Sequence, residues 1–150
     1  MRYLLILLLV LAFNGGTRGV AQSAAPEQQA ALDRLFATLH TSPDGPEAAE
    51  AERQIWLMWS HDAAPEAVAL LDQATSAMGI AQTDLAEQKL IKLVTAYPTF
   101  AEGWNRRATL YFNEGRMDDS LADIAHVLAL EPRHFGALSG EAIWLRRKSD

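Results

Sequence analysis

A metal or proton-transfer site in this chain would have to be assembled from four histidines, His40, His61, His126 and His134, and from 19 Asp and Glu side chains, because its 150 residues include no cysteine. Lack of Cys removes thiolate nucleophiles, disulfides and Cys-based zinc or iron–sulfur sites together. No two histidines have the H-E-x-x-H spacing that would turn both imidazoles to one ion. Asp123 and His126 stand at i and i+3, where one helix face could offer two ligands, but no third ligand is identifiable and a solvated face is the plainer reading. Gly136-Ala137-Leu138-Ser139-Gly140 comes near the G-x-S-x-G nucleophile turn, yet its Ser is one place late and no strand precedes it. Close helix packing accounts for these small residues. Asp118 and Asp119 fall where a helix N-terminus favours negative charge. No catalytic residue, metal or cofactor is expected.

The elements carrying these residues are helical, and the clearest lie between Ala101 and His134. Trp104, Ala108 and Tyr111 recur at i, i+4 and i+7 and so share a helix face. Gly115 ends that helix, and Asp118 can cap a second one with an apolar stripe of Leu121, Ile124, Ala125 and Leu128, stopped by Pro132. Thr99 and Glu102 have the spacing of a capping box.

This hairpin resembles a tetratricopeptide repeat: Trp104, Ala108 and Tyr111 on the first helix, then Ser120, Ile124, Val127 and Pro132. It departs at Arg107, where the motif has Leu; an Arg there is expected to lay its stem on the surface and keep its charge in water. The pattern recurs 34 residues earlier, with Leu70, Ala74 and Ala77 followed by Ala86, Leu90, Leu93 and Pro98, the second helix opening at Thr83 or Asp84. It recurs again 34 residues later in Leu138, Ala142 and Leu145. Units that cannot cover their own apolar sides must stack, so the resemblance implies an all-α right-handed solenoid of about seven helices, with Trp104 in the core. Residues 65–134 would form two repeats and 135–150 a capping helix or partial repeat. Residues 24–64 read as one more helical hairpin, with Leu32, Leu35, Phe36 and Leu39 on one helix and Ile55, Trp56 and Trp59 on the next. The motif is lost there, as in the degenerate repeat or cap that ends such arrays.

Arg2, the apolar run Tyr3–Phe13 and the small residues from Val20 to Ala25 have the layout of a secretory signal peptide over 1–23, with cleavage after Ala21 or Ser23. The run is short for a span of about 20 residues. Export is expected, to the periplasm if the source is Gram-negative, with no stable membrane insertion after cleavage. The net charge of −6 disfavours nucleic acid as a partner.

The resemblance implies that the first helices of successive repeats line a concave groove that binds peptide or protein segments. At 100° per residue, Glu102, Asn105, Arg106, Thr109 and Asn113 point away from the Trp104 direction, with Phe112 at the margin, and Ser139, Ile143 and Arg147 do the same on the last helix, with Arg146 beside them. Arg106, Arg146 and Arg147 beside Asn105 would suit an acidic segment or a terminal carboxylate, although Arg106 stands where the family's carboxylate grooves tend to carry Asn. The stretch from Ala101 to Gly140 is also similar to exported bacterial repeat proteins of no assigned activity. The reading is therefore an exported, non-catalytic interaction module; the alternatives are a membrane-tethered assembly factor that keeps its N-terminal anchor, and an enzyme using the repeats as scaffold.

Overall fold

Pro26, Pro46 and Pro65 each stand at the first residue of a helix, and each is followed by a Glu in the first turn. Proline's fixed φ and missing N–H suit that position, and the carboxylate suits the positive end of the helix dipole. In the computed structural model, which describes residues 26–61 and 63–149, these are α1 (Pro26–Thr41), α2 (Pro46–His61) and α3 (Pro65–Gly79). They are followed by α4 (Thr83–Ala96), α5 (Ala101–Asn113), α6 (Met117–Leu130) and α7 (Phe135–Ser149). The described residues are all-α and pack as consecutive pairs, α1 with α2, α3 with α4 and α5 with α6; α4 then meets α5 and α6 meets α7. The leader expected over 1–23 lies outside the described residues, among which no helix is long and apolar enough to cross a membrane.

The 34-residue register extends to the turns. Gln82 N–H donates to Ala77 O at 2.9 Å and Arg116 N–H to Tyr111 O at 2.8 Å. Tyr97 N–H donates to Leu93 O and Glu131 N–H to Val127 O, each at 2.8 Å, and Phe100 to Tyr97 is matched by His134 to Glu131. Both first helices end through a residue in the left-handed region, Ala81 at φ 57° and Gly115 at φ 76°. A Cβ is disfavoured there, whereas glycine is not. Ala81→Gly is expected to stabilise the fold by about 0.5–1 kcal/mol, once glycine's greater freedom in the unfolded chain is set against the relieved strain. A thermal midpoint equal to or below wild type would refute this.

Leu70, Leu71, Ala74, Leu90, Leu93, Phe100 and Leu110 form the largest core, between α3, α4 and α5. Ala108, Ile124, Val127 and Ala137 continue it between α5, α6 and α7. Of the repeat-motif residues, Ala108, Tyr111, Ser120, Ile124 and Val127 are buried and Pro132 is exposed beyond the end of α6. Ser120 Oγ donates to Ala108 O at 2.8 Å, so the small motif position ties the two helices of the hairpin.

Several expectations need correction. Trp104 is half-buried rather than fully buried: its indole N–H donates to Pro98 O at 2.9 Å and its ring stacks on His126 with centroids 4.2 Å apart. Arg107 does not send its charge to water but makes a two-pronged pair with buried Asp123, through Nε at 2.8 Å and Nη2 at 2.7 Å. Asp123 is thereby turned inward to Arg107 while His126 lies on Trp104, so the two offer no shared ligand face. The capping box does not form; Phe100 is the N-cap of α5 with no side-chain bond, and Arg116 rather than Asp118 is the N-cap of α6. On α7, Leu138 and Leu145 are 43% and 53% exposed and Ala142 is exposed too. The equivalent positions on α5 pack against α6, and no described element follows α7.

Candidate functional site

The α1–α2 hairpin, expected as a degenerate repeat or cap, has its own apolar cluster of Leu32, Ile55 and Trp59, and this cluster takes in Phe135 from α7. α2 meets both α3 and α5. Trp59 stacks on His134 with centroids 4.2 Å apart and planes 15° apart, while Trp56 meets Phe135 edge-on at 4.9 Å. Arg133 clamps the far side of α1: its Nη1 donates to Asp33 at 2.7 Å and its guanidinium lies 4.4 Å over Phe36. The Arg133 hydrogen bond, with a smaller one from Gln29, holds the Asp33 carboxyl below the usual carboxylate range. The hairpin thus reaches across α5 to the start of α7 instead of closing only the open end of α3 and α4.

Beneath it, the first turn of α5 is covered. Glu102 and His134 are 0% exposed, so the expectation that Glu102 faces outward is wrong, and Asn105, at 9% exposed, keeps only an edge open. The helical arithmetic gave their direction away from α6, but not that α2 would lie there. Glu102 accepts from Asn105 Nδ2 at 2.9 Å and from Arg106 Nη2 at 2.7 Å. Its Oε2 also lies 3.3 Å from His134 Nε2, without hydrogen-bond alignment. His134 Nδ1 accepts from Ala137 N–H at 3.3 Å, which places the imidazole proton on Nε2. Arg106 is therefore neutralised within the fold and drops out of the expected basic patch.

Part of the expected set lines an open cleft of about 190 Å³ between α5, α6 and α7. It brings together Asn105, Thr109, Phe112, Ser139 and Ile143, as expected, and adds Ile124. Arg147 adjoins it through its guanidinium, 5.0 Å over the Phe112 ring. Asn113 and Arg146 are exposed and do not line the cleft. Thr109 Oγ donates to Asn105 O at 3.0 Å and Ser120 Oγ is taken by Ala108 O, so the cleft offers an apolar floor of Ala108, Phe112, Ile124 and Ile143 with a few hydroxyls. A broader depression of about 370 Å³ is lined by α2 alone, and one helix cannot converge groups on a ligand. Among the described residues no three His, Asp or Glu side chains group as a metal site would need.

His134 is the residue that sequence reasoning missed. A signal existed: 34 residues earlier the same position holds buried Phe100, so His134 falls where the repeat buries an apolar side chain.

Stacked helical hairpins in a 34-residue register, with first helices that share a cleft, define a helical-repeat interaction module. A tetratricopeptide-repeat-containing protein of Rhizobium etli is 39% identical to the chain over 120 residues, which is 80% of this chain, and the seven-helix all-α structure fits a tetratricopeptide-repeat fold. The chain spans 58% of that relative's length. No family model matches the chain. No solved structure matches it significantly.

Proposed function

We propose that the chain is an exported adaptor whose α5–α6–α7 cleft takes an apolar side chain of a partner peptide, with an acidic residue or terminal carboxylate beside it on Arg147. The observation that carries the reading is the pairing of an apolar cleft with Arg147, which rests on the ring of Phe112 and, among the described residues, on no carboxylate. A guanidinium laid on an aromatic face keeps its donor edge for a planar carboxylate. Arg146 and Lys148 in the same last turn add positive charge to a chain whose net charge is −6, so the field at this end favours an acidic segment. Export is supported by Arg2 and the Tyr3–Phe13 run, and the mass of the mature protein tests it.

Selection from a random peptide library with free C-termini, using the full chain, tests the cleft. Recovered peptides are expected to pair an apolar residue with a nearby carboxylate and to lose roughly ten- to a hundredfold in affinity on Arg147→Glu, with a weaker salt dependence. Peptides with no excess of acidic residues, or equal affinity for Arg147→Glu, would overturn the reading.

A further inference from the structure

α1 and α2 cover the first turn of α5 and the start of α7 in the way a bound ligand would. Their apolar cluster of Leu32, Ile55 and Trp59 is separate from the two cores of the repeats, and among described residues its apolar contact from the rest of the chain is Phe135. The seat under them is polar where a permanent core would be apolar. Glu102 and His134 are fully buried there, and Trp59 Nε1, His134 Nε2 and Arg106 Nε are buried donors with no hydrogen-bond partner among the described residues. Each unpartnered donor weakens the docked state relative to its apolar contacts alone. The charges that face the seat are the Glu102–Arg106 pair, the Arg133–Asp33 bridge and Glu131, which Arg133 also contacts.

What fills the seat specifies what fits it. Trp56 and Trp59, three residues apart on one helix, place one ring against Phe135 and one on His134. Gly136 admits the first of them, since a Cβ there would stand 3.0 Å from the Trp56 ring. We propose that this covered surface is a second docking surface of the groove, for a helical partner segment with two aromatic side chains three residues apart, and that the α1–α2 hairpin is its built-in competitor. The partner displaces the hairpin from His134 and Phe135, and the displaced hairpin uncovers Glu102 and Asn105 next to the open cleft. Placing this exchange in the groove rests on the reading of the cleft as the working surface.

The test uses the full chain, with two variants that open the hairpin by different routes. Arg133→Glu breaks the bridge to Asp33, and Phe36→Ala removes the α1 ring that Arg133 and Trp59 contact, leaving the seat itself unaltered. Asp33→Arg with Arg133→Glu restores the bridge with its charges exchanged. The probe is a labelled synthetic peptide of residues 46–61, the α2 sequence itself. In wild type, hydrogen exchange should show the α1 and α2 amides opening while α3 to α6 stay protected. Both opening variants should speed that exchange by about tenfold and bind the probe about tenfold more tightly than wild type, and the charge exchange should reverse both changes. Hairpin amides that exchange only together with α3 to α6, or equal probe affinity in wild type and the opened variants, would overturn the proposal. Arg147→Glu should leave both readouts unchanged, so failure here and failure of the acidic-peptide reading are distinguishable.

Discussion

Arg107→Ala is expected to destabilise the fold by about 3–5 kcal/mol, measured as a lower midpoint in urea unfolding followed by far-ultraviolet circular dichroism. Asp123 is 2% exposed, and the guanidinium of Arg107 is its cation, held at 2.7 and 2.8 Å and flanked by the Trp104 and Tyr111 rings. Truncation leaves a buried carboxylate with no compensating charge, which is the expensive way to break such a pair. The combined change Arg107→Met with Asp123→Leu removes both charges and should recover most of the loss. A single variant within about 1 kcal/mol of wild type at neutral pH would mean that the pair contributes little.

That prediction reverses the expectation from the motif alone, and the reason shows what was legible. Helix positions were readable because apolar spacing, Pro-Glu starts and the Gly115 stop are local signals, and the repeat register carried the weak α3–α4 copy through its likeness to α5–α6. The departure at Arg107 was visible, but its partner was not, since Asp123 lies 16 residues away on another helix and looked like a solvated residue in the sequence. The covered half of the groove was harder still. Asp33 and Arg133 are 100 residues apart in sequence, and no local pattern says that α2 should cross to α7 rather than stack in line. The one clue was His134 in the register position of Phe100, a polar residue at a position that elsewhere is core.

The two halves of the groove now differ in kind. The end formed by Phe112, Ser139 and Ile143 is open and has Arg147 beside it, while the end formed by Glu102, Asn105 and His134 lies under the hairpin. Asn105 belongs to both: its side-chain amide donates to Glu102, and it lines the open cleft. Movement of the hairpin therefore bears directly on the cleft through one side chain, without a longer chain of contacts.

Leu90→Ala is expected to cost about 2–5 kcal/mol and to lower the thermal midpoint by roughly 10–20 °C. Leu90 has no exposure and lies in the core that Leu70, Leu71, Ala74, Phe100 and Leu110 share across α3, α4 and α5. The rest of that core is fixed on three helices, so it can close only part of the space left by the isobutyl group. The effect should not stay within one hairpin. α5 takes its own packing partly from α4, through Gly103 against Leu93 at a distance that leaves no room for a Cβ to move in freely, so loosening α4 removes support from α5 and α6 as well. Hydrogen exchange should accordingly accelerate in α3, α4, α5 and α6 together. Ile91, one residue on, is 44% exposed, and its replacement by Ala should cost under about 1 kcal/mol. Equal losses at Leu90 and Ile91, or a loss at Leu90 confined to α3 and α4, would show that the repeats do not share one cooperative core.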